Sequence, residues 1–450
     1  MSADVTVTGF GVRTAFGTGA DALRRGVFAG IPSFVPTSRF DTGPYRTPMA
    51  GAAPDGPDAV EGWALRPALD RCGDEALAMA GLPRGTGAAV LLGIAGDCTS
   101  ITRYWREAAE SGSGGDPARV DAAEPGPGKA TARGDAAEPG TGRNPSRADA
   151  AEPGPGRDTA RAGAAAPGRG AEGSGASLAD AVPARLAESL AGGLGLTGPR
   201  LTFTNACVAS AAAIIHACRL ISSGRIDVAV CAGGYLVEEE TFGKFDSGRA
   251  LSRDGMVRPF SADRTGLLLG DGVAAVVLES AEHARRRGAR PLVGVAGWGA
   301  ATDAHHIAQP HPEGVGLARA ARQALRLAGD PEGAALGYVN AHGTGTKYND
   351  GAETRGLRAA LPERAESIPV SSTKSTTGHL LEAAGVVEFV ITMLALMDGV
   401  LPPTANFTRA DPECDLDYVP NLSRQADLRR ALTINAAFGG ANTALVLERP

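Results

Sequence analysis

Three short stretches of this chain carry side chains able to do covalent chemistry, and a fourth stands beside them. The first is Thr204-Asn205-Ala206-Cys207-Val208-Ala209-Ser210-Ala211. A β-forming run precedes it and a small-residue apolar run follows it. The pattern predicts a strand, a sharp turn at the cysteine and a helix, the logic of a nucleophile elbow. A thiol at a helix N-terminus meets unpaired N–H groups and the positive end of the dipole, which favour the thiolate. The alternative is a small buried hydrophobe, and Cys218 and Cys231 are read that way. The second stretch is Val339-Asn340-Ala341-His342-Gly343-Thr344-Gly345-Thr346. A strand delivers His342 onto a loop whose glycines permit close backbone approach. The hydroxyls of Thr344 and Thr346 can bind an amide-rich ligand. A loop histidine among turn residues is the alternative. The third is Val370-Ser371-Ser372-Thr373-Lys374-Ser375-Thr376-Thr377-Gly378-His379-Leu380. Lys374 and His379 are predicted to open a buried helix that runs through Glu388. A lysine there needs a partner, because burying an unpaired charge is expensive. A surface lysine with a capping histidine is the alternative. The fourth, residues 435–443, holds Phe438, Gly439 and Gly440 in a glycine turn before the last strand. It can equally be a plain connection.

One cysteine and two histidines on separate loops suggest a covalent acyl intermediate. His305, His306 and His311 also cluster, but adjacent histidines point apart in an extended chain and no acidic or cysteine ligand is well spaced nearby. No metal site is expected there. Gly9-Phe10-Gly11 lacks the third glycine and the downstream acid of a dinucleotide fingerprint, so no nucleotide cofactor is expected.

The elements that must position these residues alternate between strand and helix. Residues 5–12, 88–93, 200–205, 228–234, 273–279, 291–299, 337–340 and 444–448 read as strands. Residues 21–29, 178–191, 209–223 and 380–397 read as helices, with Pro183 early in its helix or kinking it. This alternation argues a layered α/β fold. Residues 111–177 break it with a 14-residue repeat, Asp-Ala-Ala-Glu-Pro-Gly starting at Asp121, Asp135 and Asp149, and a degenerate copy at Gly163. This stretch lacks aromatics and has one large aliphatic, Val120. It has too little apolar surface to offset ordering entropy, so it reads as a disordered insertion.

The chain has 450 residues, 43% of them hydrophobic, and a net charge of −6. That charge, without a long basic run, argues against nucleic acid or an anionic membrane as partner. No apolar run approaches the roughly 20 residues of a membrane helix, and the first residues lack a basic signal-peptide region. The six cysteines form no CxxC pair, which suits a reducing cytoplasm.

The four motifs, in this order, resemble those of the β-ketoacyl–acyl carrier protein synthases, among the thiolase-like condensing enzymes. Residues 245–252 and 257–272 agree as well, and from Arg258 onward the likeness is to the elongating bacterial enzymes of fatty acid synthesis. The resemblance implies a thiolase-like fold: two similar halves, each a mixed five-stranded sheet, stacked α-β-α-β-α. The expected halves are 1–280, with the cysteine, and 281–450, with both histidines. It implies an acyltransferase that holds an acyl group on Cys207 and condenses it with malonyl-carrier protein, with loss of carbon dioxide. His342 and His379 would stabilise the enolate, with Lys374 orienting them and Glu353 and Glu388 supporting that network. Thr344 and Thr346 would contact pantetheine. The N–H groups of Cys207 and Phe438 would form the oxyanion hole, and Phe438 and Phe245 would gate the acyl pocket, with Gly439 and Gly440 in the gate turn. No bound cofactor is implied, only phosphopantetheine on the carrier protein. A homodimer, or a heterodimer with a chain-length-factor-like subunit, is implied too.

Some residues depart from the family pattern. Ala436-Ala437-Phe438 stands where the elongating enzymes have Phe-Gly-Phe, Asn205 and Val208 flank the cysteine, and Glu382 replaces a small residue. The insertion falls between Gly93 and the strand before the cysteine. These departures point to a specialised polyketide or related secondary pathway and an acyl group other than a plain saturated chain. Three alternatives share the resemblance: a thiolase using a late cysteine, for which only Cys414 is available; acyl transfer without decarboxylation; and a non-catalytic partner subunit.

Overall fold

A computed structural model describes residues 4–53, 64–98 and 178–450. The repeat at 111–177 lies outside the described residues.

Long uninterrupted apolar runs set the architecture. Strand β4 (Val228–Tyr235) is buried at every residue, as is β1 (Val5–Thr14). Strands buried on both faces must be covered by helices on both sides. The first half of the chain adds β2 (Ala89–Gly93), β3 (Arg200–Phe203) and β5 (Gly272–Ser280). The second half supplies β6 (Val293–Thr302), β7 (Leu336–Asn340), β8 (Val370–Ser371), β9 (Arg430–Ala436) and β10 (Ala441–Glu448). The spatial order is β8-β7-β9-β10-β6-β1-β5-β4-β2-β3. Taken half by half in chain order, each set of five strands runs third-second-fourth-fifth-first. In each half the third, second and fourth strands are parallel and the remaining pairings antiparallel. This identity of order is the duplication expected from the sequence. The two mixed sheets are also joined: Val5, Thr6 and Val7 pair antiparallel with Val295, Gly294 and Val293.

Five layers result. Helices α1 (Leu65–Ala80) and α2 (Pro183–Gly193) cover the outer face of the first sheet. Helix α3 (Ala209–Ser222) lies in the centre, and α4 (Glu239–Ser247) follows β4. Helices α5 (Val315–Leu327) and α6 (Lys347–Ala360) cover the second sheet. Helix α7 (Ala384–Asp398) is buried at 13 of its 15 residues. A helix apolar all round belongs in an interior, and α7 packs with α3 between the sheets. Close approach there needs Gly385, since a Cβ would sit 2.5 Å from the Ala211 nitrogen. The Val386 N–H also donates to the Ser210 hydroxyl. These contacts lock the start of α7 against the start of α3, the helix that follows Cys207.

Pro183 opens α2 at its first turn, where its missing N–H is not needed. The predicted helix over 380–397 is shorter. Leu381–Ala383 is a 3₁₀ turn and the α-helix begins at Ala384, because Leu381 takes a left-handed φ of 43°.

Candidate active site

Cys207 sits in a 3₁₀ turn, Ala206–Val208, between β3 and α3. The expected sharp turn is present, but its unusual backbone belongs to Ala206, at φ 53°, rather than to the cysteine. A left-handed alanine is a sparsely populated conformation that the surroundings must enforce. His342 follows β7. His379 follows Gly378, whose φ of 76° ends a four-residue helix, Lys374–Thr377. Lys374 and His379 therefore do not open α7. They occupy a separate hook that re-aims His379 toward the cysteine.

The three groups meet. His379 Nε2 lies 3.1 Å from the Cys207 sulfur. The His342 and His379 rings are 5.3 Å apart and nearly perpendicular, at 87°. The Nδ1 atoms of both rings are buried with no hydrogen-bond partner among the described residues. Burial, and then the charge of Lys374, hold both histidines well below the ordinary imidazole range; for His342 the His379 ring adds to this. Both rings are thus neutral.

Behind them runs a buried chain of polar groups. Lys374 Nζ donates to Glu388 at 2.5 Å, and Asn435 Nδ2 donates to the other carboxylate oxygen at 2.6 Å. Lys374 and Glu388 are each 1% exposed. Glu353 accepts the N–H groups of His342 and Gly343 at 2.6 and 2.7 Å, which fixes the backbone that carries His342. Burial, only partly offset by those N–H groups, pushes the Glu353 carboxyl up to about 7. Thr344 and Thr346 share a hydrogen bond of 2.8 Å between their hydroxyls. The sequence reading missed Asn435 as a member of this chain, although it lay inside the fourth motif.

The thiolate expected for Cys207 is not what this environment favours. The residue is 6% exposed, and burial, with the nearby Glu382 carboxyl adding to it, pushes the thiol up to about 12 against the opposing charge of Lys374. Desolvation outweighs the helix end. The thiol rests neutral, its sulfur in contact with His379 Nε2.

A cavity of about 220 Å³ opens beside Cys207. Phe245 and Phe438 line it and stack on each other, ring centres 5.6 Å apart and planes 21° from parallel. Phe438 is half exposed, and Ala437 before it is extended (φ −134°, ψ 158°), so alanine fits that position without strain. Gly439 and Gly440 are both left-handed, at φ 81° and 80°. The Gly439 N–H donates to the Ile307 carbonyl at 2.7 Å. Glu382, singled out in the sequence, lines the cavity. So do Tyr235, Glu238, Asp97 and Cys98, which the sequence reading did not pick out. The adjoining acids Glu238, Glu239 and Glu240 at a strand end were the available signal.

Other candidates lie apart. Cys414 packs in the outer core of the second half and does not line the cavity, and burial pushes its thiol up to about 12. His306 Nδ1 accepts the N–H groups of Ala308 and Gln309, and His311 Nδ1 accepts that of Glu313. These rings cap a loop.

A cysteine from one half of a duplicated five-layer sandwich, faced by two histidines from the other, defines the thiolase-like class of condensing enzymes. Within that class, residues 157–284 match the family model described as the N-terminal domain of β-ketoacyl synthases, and residues 292–408 match the C-terminal domain. The tetracenomycin polyketide synthase ketoacyl synthase alpha subunit of Streptomyces glaucescens is 34% identical over 99% of this chain and 97% of its own length. The chain belongs to the β-ketoacyl synthase family. A 3-oxoacyl-[acyl-carrier-protein] synthase 2 of Vibrio harveyi is 40% identical over 60% of this chain and 67% of its own. A putative polyketide β-ketoacyl synthase 1 of Streptomyces halstedii is 41% identical over 60% of this chain, which spans only 65% of that relative. Among solved structures, the ishigamide ketosynthase/chain length factor matches with a TM-score of 0.78 at 28% identity, covering all of both chains.

Proposed function

We propose that the protein is an acyltransferase that makes carbon–carbon bonds in polyketide or fatty-acid-like biosynthesis by decarboxylative condensation on Cys207. The observation that carries this reading is the 3.1 Å contact between the Cys207 sulfur and His379 Nε2, with His342 perpendicular beside it.

In the first half-reaction an acyl thioester of phosphopantetheine, carried by an acyl carrier protein, meets the neutral thiol. The sulfur of Cys207 bonds to the acyl carbon and gives up its proton. The pantetheine C–S bond breaks and the departing sulfur takes that proton. The N–H groups of Cys207 and Phe438 receive the developing oxyanion. In the second half-reaction malonyl-carrier protein enters, held through its pantetheine by Thr344 and Thr346. Its carboxylate leaves as carbon dioxide. Neutral His342 and His379 donate to the thioester oxygen and stabilise the enolate. The enolate carbon bonds to the acyl carbon, the C–S bond to Cys207 breaks, and the thiolate takes a proton from solvent to restore the thiol.

Low histidine pKa values serve this second step, because a neutral ring can donate without adding a charge to a buried site. Lys374, Glu388 and Asn435 position the histidine pair, and Glu353 fixes the His342 backbone. Residues 1–280 act as the half carrying Cys207 and residues 281–450 as the half carrying both histidines. The carrier protein as partner is supported by the Vibrio harveyi relative's name, and a chain-length-factor-like subunit by the ishigamide neighbour's. A homodimer is the other assembly. Among the described residues no helix is long and apolar enough to cross a membrane, and we infer a cytoplasmic enzyme.

Carbon dioxide release from malonyl-carrier protein tests the reading. Wild type should release it, and His342→Ala should lose release while intact-mass analysis still finds Cys207 acylated. Release unchanged in His342→Ala would sink the assignment of the enolate step.

A further inference from the structure

The acyl cavity carries charge where a condensing enzyme for plain alkyl chains needs none. Glu382 and Glu238 both line the cavity beside Cys207. Glu238 caps α4: its carboxylate accepts the N–H groups of Glu240 and Thr241 at 2.7 and 2.8 Å. Glu382 differs. No side chain among the described residues donates to its carboxylate: burial disfavours its charge, its own backbone N–H is the one donor that favours it, and the neighbouring charge is another acid, Glu238. The nearby cation, Lys244, is paired with Glu240 at 2.6 Å. A half-buried carboxylate lining a cavity with no paired cation gains from a cationic partner.

Tyr235 is an independent sign of the same want. It is the last residue of β4, 7% exposed, and it lines this cavity. Its hydroxyl is buried with no hydrogen-bond partner among the described residues. The groups that bear on that hydroxyl are Glu238, Glu382, Asp271 and Cys98, three of which line the cavity. An orphaned buried phenol in a cavity that two carboxylates also line marks a place for a polar ligand group. Glu382 stands on the Leu381–Ala383 turn, where Leu381 is held left-handed.

We infer that the acyl pocket selects an amine-bearing acyl group, whose ammonium pairs with Glu382 and whose polar end meets the Tyr235 hydroxyl. This rests on the reading of Cys207 as the acylated nucleophile. The loading step is ordinary thioester exchange: one C–S bond forms at Cys207, one breaks at the donor, and the thiol proton passes to the leaving sulfur. The amine takes no part in the bond changes.

The test uses the full-length protein and N-acetylcysteamine thioesters in isosteric pairs. β-Alanyl is compared with butyryl, and 6-aminohexanoyl with heptanoyl, with 3-hydroxypropionyl as a neutral donor. Acylation of Cys207 is followed by intact mass. A charge-assisted hydrogen bond should make at least one amine-bearing donor load at least about tenfold faster than its alkyl isostere. Glu382→Gln should bring that ratio to about one, and Tyr235→Phe, which only removes an unpartnered hydroxyl, should reduce it about threefold. Equal or faster loading of both alkyl isosteres by wild type overturns the inference, as does a ratio unchanged in Glu382→Gln. Loading of 3-hydroxypropionyl as fast as β-alanyl also overturns it, in favour of a neutral polar group. In each of these cases loading of Cys207 leaves the condensing reading intact. If no thioester loads Cys207 and malonyl-carrier protein releases no carbon dioxide, that reading falls and takes the inference with it.

Discussion

Replacing Lys374 with methionine probes the buried charge chain behind the histidines. Lys374 and Glu388 are each 1% exposed and meet at 2.5 Å. Glu388 also holds Asn435. Removing one member of such a pair leaves the other uncompensated, at a cost of about 3–5 kcal/mol; replacing both with apolar side chains is about neutral. Leaving the repeat at 111–177 out of the 450 residues, about 380 residues at about 2.1 cal/mol/K each give an unfolding entropy near the midpoint of about 0.8 kcal/mol/K. The lost stability then corresponds to a fall in Tm of about 4–6 °C. K374M should show that fall by calorimetry, and K374M/E388L should recover most of it. The same substitution acts on catalysis. Burial first, and Lys374 second, keep His342 and His379 below the ordinary range. Without the lysine charge both rise, so more of each ring is protonated in mild acid. A protonated pair is the wrong form for the proposed enolate step. The acid limb of malonyl decarboxylation should therefore move to higher pH in K374M. A Tm within about 1 °C of wild type, or an unmoved acid limb, would refute the role given to Lys374.

Three further outcomes are expected. With its thiol pushed up to about 12, Cys207 is ionised in only about one molecule in 10⁵ at pH 7. Its alkylation by iodoacetamide, read at the Cys207 peptide, should climb about tenfold per pH unit through neutrality, and a plateau near neutral pH would show a resting thiolate instead. Cys207→Ala should abolish acylation by carrier-protein thioesters and Cys414→Ala should not, whereas loss in Cys414→Ala would revive a two-cysteine thiolase chemistry. Ala437→Gly should free the gate backbone and raise loading of long acyl thioesters about two- to fivefold, with short ones unchanged; equal gains for both would mean the gate does not select by size.

The layered fold was legible because its strands are buried on both faces and so read as unbroken apolar runs, as in β4 and β1. Helix α7 was legible for the same reason, but its start was not. The left-handed Leu381 and the hook at Gly378 depend on contacts with β5 and its approach, such as the Gly270 N–H donating to the His379 carbonyl. No local pattern encodes those contacts. Cys207 and both histidines stood out because their loops are long and chemically biased. The ionisation of Cys207 was misjudged. The helix end is written in the sequence, but the depth of burial and the position of Glu382 are tertiary facts. Asn435 was hidden for a similar reason, since its partner Glu388 lies 47 residues earlier in the chain.

The acidic lining and the buried thiol bear on one another. Glu382 follows burial among the causes that hold the Cys207 thiol neutral. Its carboxylate charge thus makes the thiol harder to ionise as long as no cation pairs with it. An ammonium-bearing acyl group would cancel that charge as it enters, and the thiol would become easier to ionise at the moment its electrophile arrives. An alkyl chain of the same size would bring no such relief and would have to displace water from Glu382 without replacing its hydrogen bonds, which costs free energy. Selection would then act on the rate of acylation as well as on binding. It follows that Glu382→Gln should accelerate loading of the alkyl isostere, through the lowered thiol pKa, while slowing loading of the amine. A change of the same sign for both donors would separate pocket polarity from thiol activation and leave Glu382 acting on only one of them.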